Sequence, residues 1–241
     1  MHEQTILAFD DKYEVRINVF LPADNNHLFN DASYFRLHAT SAKDIYAQLV
    51  RISDNKILAT IAFYEDEDRV FASPKRGTFG GLGLNLPLDF QMVEHFLITI
   101  VDFLKSSGAS AIHLKCPPMS HDLALSSVVS NIMLRHGATL CGHELNYDMR
   151  MNNRPFLGRI DYSSVKRIRK CLRMGFVAEK ISESNYANAY QVIRDNRERH
   201  GYQISMTAAQ LETMAAAFPG RVHFFAVYPN PQKSRIVAAS V

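Results

Sequence analysis

The residue types and spacings that could do chemistry gather first in the run SPKRGTFGGLGLN, Ser73 to Asn85, which holds four of the chain's 11 glycines. Glycine reaches backbone conformations and close approaches denied to other residues. A long helix pattern follows the run. The amides of Gly77, Gly80, Gly81 and Gly83 could therefore form an anion-binding nest in front of a positive helix end. Lys75 and Arg76 would add charge, and Ser73, Thr78 and Phe79 would complete a substrate-facing loop. The same glycines also suit plain turn chemistry joining two elements. A second cluster is VKRIRKCLRMG, where Lys166, Arg167, Arg169, Lys170 and Arg173 alternate with Val165, Ile168 and Leu172. That spacing turns one side of a helix to a core and the cations outward. The cations form either a solvated face or a phosphate contact through Arg167, Arg169 and Lys170. The third is NRERHGYQIS. Its Arg199 suits an anion and its Tyr202 a cleft, while His200 is either a proton relay or a helix-end cation before Gly201.

Other chemistries lack their residues. GHE at 142–144 has no second histidine at zinc-helix spacing, and there is no nucleophile elbow and no G-x-x-x-x-G-K-S/T loop. Three widely spaced cysteines suit reduced thiols in a cytosol better than disulfides or a zinc site, so no metal is expected. The formal charge of +3 is too slight to argue for nucleic acid by itself. The opening MHEQTILAFDDKYE shows no signal-peptide pattern. FLITIVDFL contains Asp102 and is far too short for a membrane span. A cytoplasmic protein is the expectation.

Elements must position these residues, and the pattern predicts a mixed α/β fold. KYEVRINVFL reads as a strand, DIYAQLVRI and KILATIAFY as a hairpin around Ser53-Asp54-Asn55, and DRVFA as a strand returning across EDED. A helix from about Phe90 to Ser107 has Asp89 as its N-cap and Gly108 as its stop. AIHLK is a short strand ended by Pro117-Pro118. A helix from Asp122 to Arg135 stops at Gly137, and ATLCGHELNYDMRM supplies one or two more strands. NNRP, 152–155, reads as a linker between units 1–151 and 152–241. The second unit then opens with the basic helix, N-capped by Ser163 or Ser164. Two more helices and a strand pair, VHFFAVYPNPQKSRIVAASV, follow.

KILATIA (56–62) and RIVAASV (235–241) align residue for residue, 179 positions apart, which suggests a tandem duplication whose second copy stops early. On that reading the sequence is the N-terminal part of a longer two-unit protein.

With SPKRGTFGG, VKRIRKCLRMG, NRERHGYQIS and VHFFAVYPNPQKSRIVAAS in this order, the chain resembles the FemAB-like branch of the GNAT acyltransferases. The resemblance implies a GNAT-like fold, with the first unit complete and the second partial. It implies transfer of an acyl or aminoacyl group, from acyl-CoA or aminoacyl-tRNA, to an amine on a small-molecule or anionic sugar or peptide acceptor. Ser73, Pro74, Phe79, Gly80 and Gly81 match its first motif; Arg167, Ile168, Arg169, Lys170 and Gly175 its second; Arg199, His200, Gly201 and Tyr202 its third. The acetyl-CoA loop of ordinary GNAT enzymes reads Q/R-x-x-G-x-G/A. Here the third position after Arg76 is Phe79 and after Lys75 is Thr78, so a coenzyme A site departs from the pattern. Thioesters and aminoacyl esters are already reactive, so positioning and amide hydrogen bonds can carry such a reaction without a nucleophilic side chain. No catalytic residue stands out. The alternative is a binding or assembly module that keeps the fold without the chemistry.

Overall fold

The structure, a computed structural model, describes residues 3–22, 27–233 and 235–241. It divides into two units, Met1–Asp148 and Met149–Val241.

The first unit is built on a mixed sheet. Its strands are β1 (Thr5–Ala8), β2 (Tyr13–Ile17), β3 (Ile45–Arg51), β4 (Lys56–Glu65), β5 (Val70–Ser73), β6 (Gly83–Leu84) and β7 (Ala111–Leu114). They run in the order β1-β2-β3-β4-β5-β7, with β6 paired to β4 off that path. All pairings are antiparallel except β5 with β7. The hairpin between β3 and β4 turns through Asn55 at φ 55°, where a short polar side chain tolerates the left-handed region.

Three helices cover this sheet: α1 (Ala32–His38), α2 (Phe90–Ser106) and α3 (Leu123–Arg135). Asp89 accepts from Met92 N and Asp122 from Leu125 N, so each aspartate satisfies an otherwise orphaned amide. Val93, Phe96, Leu97, Ile100 and Leu104 of α2 join Val129 and Ile132 of α3 over one face, where they meet Ala47, Leu49, Ala59 and Ile61. Phe35 of α1 packs with Tyr46, Ala62 and Tyr64 in a second cluster. β3 and β4 are thus buried on both faces, which is why they read as continuous apolar runs. Each large side chain fully buried there contributes about 1.5–3 kcal/mol.

In the second unit α4 (Tyr162–Arg173), β8 (Val177–Lys180), α5 (Tyr186–Arg199), α6 (Ala208–Ala217), β9 (Phe225–Tyr228) and β10 (Ala238–Ser240) follow in order. The three strands form an antiparallel sheet, β10-β9-β8. Both units therefore hold a strand, intervening helix, and a pair of strands returning side by side. A shift of 179 residues lays β9 on Tyr46–Leu49 of β3 and β10 on Ala59–Ile61 of β4. The pairing differs by one position: Ala238 faces Val227, whereas Ala59 faces Leu49.

Two expectations are corrected. ATLCGHELNYDMRM forms no strand. Residues 138–148 lie exposed, with Leu140 77% and Tyr147 90% accessible, because among the described residues no neighbouring strand takes up their amides. The strand pair expected to complete the first unit is therefore not formed. Asp161, not Ser163 or Ser164, caps α4, its carboxylate accepting from Ser164 N at 3.0 Å and from the Ser163 hydroxyl at 2.6 Å. The strands β1, β6 and β8 are additional to those read from the sequence. Ser234, in the turn of the closing strand pair, lies outside the described residues.

Beneath the start of the glycine segment, His38 is 2% accessible and neither ring nitrogen has a partner. Burial first, and the Arg76 charge second, pull its imidazole down to about 4. An unfolded histidine titrates near about 6.5, so this stability is complete above that pH and is lost as pH falls towards the folded value. Between pH 7.5 and 5 the protein is predicted to lose about 2 kcal/mol of unfolding free energy to this group. Urea titrations of His38→Leu should show a shallower fall over that range; parallel curves would refute the assignment.

Candidate functional site

β5 and β7 run in parallel register from Val70 opposite Ala111 to Ser73 opposite Leu114, and Lys115 N adds one more bond to Ser73 O at 2.8 Å. Beyond that point the strands part. Cys116 leads into Pro117 and Pro118, which lack amide hydrogens and cannot continue a ladder. On the other side the glycine segment leaves β5 through a cis Ser73–Pro74 bond and loops back. Gly80 N then donates to Lys115 O at 2.9 Å and Gly81 N to Ser73 Oγ at 3.0 Å. The chain closes into β6, opposite Thr60 and Ala59 of β4.

The glycines are required by this return path. A Cβ on Gly80 would sit 2.6 Å from both Pro74 N and Ser73 Oγ. One on Gly83 would overlap the Asn30 amide, which bridges Gly81 O at 3.2 Å and Gly83 N at 3.1 Å.

The expected site residues thus have defined places. Ser73 is buried and its hydroxyl serves Gly81. The amides of Gly80 and Gly81, two of the nest's donors, are already taken within the fold. Lys75 Nζ donates to Thr40 Oγ1 at 2.9 Å and to Glu65 O at 3.2 Å. Arg76 is half-buried, with its carbonyl accepting from Tyr34 OH at 2.9 Å. Gly77, at φ 105°, passes against the Phe29 ring, and Thr78 is exposed. Phe79 and Gly80 are the two that face a cavity.

That cavity, of about 240 Å³, lies between Phe79, Gly80 and residues 82–85 on one side and Cys116, Pro117, His121, Asp122, Leu125, Ser126 and Val129 on the other. Asn30, His27 and Asn85 also line it. His121 stands with its ring 4.9 Å from Phe79 and 5.7 Å from His27. An adjoining cavity of about 390 Å³ is walled by Leu84, Leu86, Leu88, Val93, Leu125 and Val128, and shares Asn85 and Asp122 with the first. Burial pushes the Cys116 thiol up, away from the reactive thiolate. Ser126 is 6% accessible and its hydroxyl has no partner, a state that costs about 1–3 kcal/mol where nothing else fills it. Among the described residues no group of three histidines, cysteines or carboxylates is placed to hold a metal, and no helix is long and apolar enough to cross a membrane.

In the second unit, Arg167, Arg169 and Lys170 are exposed on α4, together with Lys166 and Arg173. Lys166 Nζ lies 4.5 Å from the centre of the exposed Tyr162 ring, and Arg167 donates to Ser163 Oγ at 3.1 Å. Arg199, His200 and Tyr202 form the end of α5. His200 is the C-cap, Gly201 takes φ 70°, and Tyr202 N returns to Arg197 O at 2.9 Å. Arg135-His136-Gly137 ends α3 in the same way, so the repeated RHG is helix-stop chemistry.

Reading the sequence missed Asp122, Ser126 and Asn85 as site residues. One signal was available: Ser126 lies three residues before Val129 and six before Ile132, a polar residue within an apolar stripe. It also passed over a division of charge. Met149–Val241 holds 15 Lys and Arg against 6 Asp and Glu, net +9, whereas Met1–Asp148 holds 12 against 18, net −6.

No family model matches the chain, and neither does any curated protein. A solved structure of FemX is similar in fold, with a TM-score of 0.55 and 14% sequence identity over 88% of this chain and 55% of that one. This chain therefore spans about half the length of FemX.

Gly80→Ala is predicted to destabilise the protein by about 1–3 kcal/mol, since its neighbours are backbone atoms and a buried hydroxyl. Gly142→Ala, with nothing within 4 Å, should be near neutral in the same chemical denaturation series. Equal midpoints for the two variants would contradict the packing described.

Proposed function

We propose that the chain is part of an N-acyltransferase that passes an aminoacyl group from a tRNA ester to an amine. The observation that carries this reading is the charge division. A unit of net +9 with five exposed cations on one helix suits a polyanion, and displaced counterions would supply much of the affinity. The fold likeness to FemX and the resemblance to FemAB-like acyltransferases support the same class. Departure from the acetyl-CoA loop pattern favours aminoacyl-tRNA over acyl-CoA as the donor.

The chemistry asks little covalent help of the protein. The amine nitrogen bonds to the ester carbonyl carbon, the ribose oxygen leaves, and the proton shed by the amine returns to that oxygen. Cys116, held as a thiol, takes no part as a nucleophile. Positioning of the two reagents supplies the acceleration. The strand–helix–strand–strand order common to the two units supports a tandem origin for the fold.

Replacing Arg167, Arg169 and Lys170 together by alanine should weaken tRNA binding at least tenfold. It should also flatten the plot of log K against log salt by about 2–3, roughly 0.7–0.9 per lost phosphate contact. Because these side chains are exposed, thermal stability should not change. Fluorescence anisotropy at several salt concentrations reads both quantities, and an unchanged affinity and slope would overturn the assignment. Incubation with aminoacyl-tRNA and an amine, followed by mass spectrometry, separates the enzyme from a binding module. The enzyme yields an amide product, whereas the module binds tRNA and yields none.

A further inference from the structure

The cations of α4 are ordered along one stripe. Residues 150–173 hold eight lysines and arginines against a single acid, Asp161. At 3.6 residues per turn, Tyr162, Lys166, Arg169 and Arg173 follow one another along one face of α4, with Lys170 beside them, over about 16 Å. All five are exposed. The ion pairs of the second unit, Arg194 with Glu198 and Lys233 with Glu179, lie elsewhere, so among the described residues no carboxylate pairs with Lys166, Arg169, Lys170 or Arg173. Asp161, at the head of the stripe, is engaged by Ser164 N and the Ser163 hydroxyl.

Cations alone would suit any polyanion. The ring that heads the stripe is the second, independent observation. Tyr162 is 70% accessible, and Lys166 Nζ lies 4.5 Å from its centre. The helix packs on its own unit through Val165, which is buried, and Ile168, which is half-buried, so the tyrosine ring takes no part in that core. A flat exposed ring beside a line of cations matches what a single-stranded nucleic acid presents, a base to stack and phosphates to pair. A duplex keeps its bases stacked inside and offers the phosphates alone. A bilayer fits less well, because Val165 and Ile168 turn inward and leave the cationic stripe without an apolar face to insert.

We infer that Tyr162 is a stacking platform for an unpaired base of a single-stranded nucleic acid whose phosphates run along Lys166, Arg169, Lys170 and Arg173. The inference rests on the polyanionic donor proposed above and deepens it, since it makes an unpaired strand, not a duplex, the part that this helix reads.

The chain has no tryptophan, so Tyr162→Trp in the whole chain places a lone fluorescent reporter at the platform. The probes are octaadenylate, an abasic octamer with the same number of phosphates, an eight-base-pair RNA duplex, and vesicles of phosphatidylserine and phosphatidylcholine. Octaadenylate should quench the emission saturably by about half and bind at least fivefold more tightly than the abasic octamer. The duplex and the vesicles should leave the emission unchanged. In anisotropy titrations of labelled octaadenylate, Tyr162→Ala should weaken binding at least fivefold without altering the salt slope, because no charge is removed. Tyr162→Phe should bind within about twofold of the unaltered chain, since the ring is kept. Equal affinity for the adenylate and abasic octamers overturns the inference. So does Tyr162→Ala binding as the unaltered chain does, or an emission change of the same size with duplex or vesicles. The two readings fail separately. Loss of affinity on replacing Arg167, Arg169 and Lys170, with Tyr162→Ala silent, removes the platform and leaves the donor assignment standing. Octaadenylate binding through Tyr162 without affinity for tRNA contradicts the donor assignment alone.

Discussion

Two hydrogen bonds at the point where β5 and β7 part govern the first unit: Gly81 N to Ser73 Oγ and Gly80 N to Lys115 O. Parallel strands that separate expose amides and carbonyls, and each left buried without a partner costs free energy comparable to a lost hydrogen bond. The glycine segment meets that demand by turning back between the two strand ends. It can approach so closely because Gly80 has no side chain. The prolines at 117 and 118 stop the ladder on one side, and β6 docks on β4 on the other. The cavity is what remains between the returning segment and the first turns of α3. Gly80 and Gly81 are thus a means by which the fold opens without unsatisfied backbone.

Charge sets the second constraint. Groups of opposite charge place opposite demands on a protein's field, and one sign of potential would repel one of them. At physiological ionic strength the field of exposed charges fades over about 8 Å, so local composition decides what each surface attracts. The sequence divides its charge between the units, with net +9 after Met149 and net −6 before it. The total of +3 conceals this, because summing over the chain cancels the two terms that matter.

Locally encoded elements were legible. The β3–β4 hairpin, the return of β5, and the limits of α2 and α3 follow from turn residues, capping aspartates and terminal glycines within a few positions of the structure they set. What escaped depends on distant partners. β6 has two residues and exists through its pairing with β4. The run 138–151 has strand composition, but composition cannot supply a neighbour to pair with. The partners of Lys75, Thr40 and Glu65, are likewise distant in sequence. The same holds for the site: the glycine run marked the right stretch of chain, while the side chains that distinguish the cavity, Asp122 and Ser126, come from a helix start that looked purely structural.

Hydrogen exchange of individual backbone amides tests the central claim most directly. If the glycine segment is stitched between β5 and β7, the amides of Gly80, Gly81 and Lys115 exchange as slowly as those of the neighbouring strands and are released together with them as denaturant is added. Exchange of Gly80 and Gly81 at the rate of an open loop, with β5 and β7 still protected, would show that the strands part without that bridge and would contradict the account.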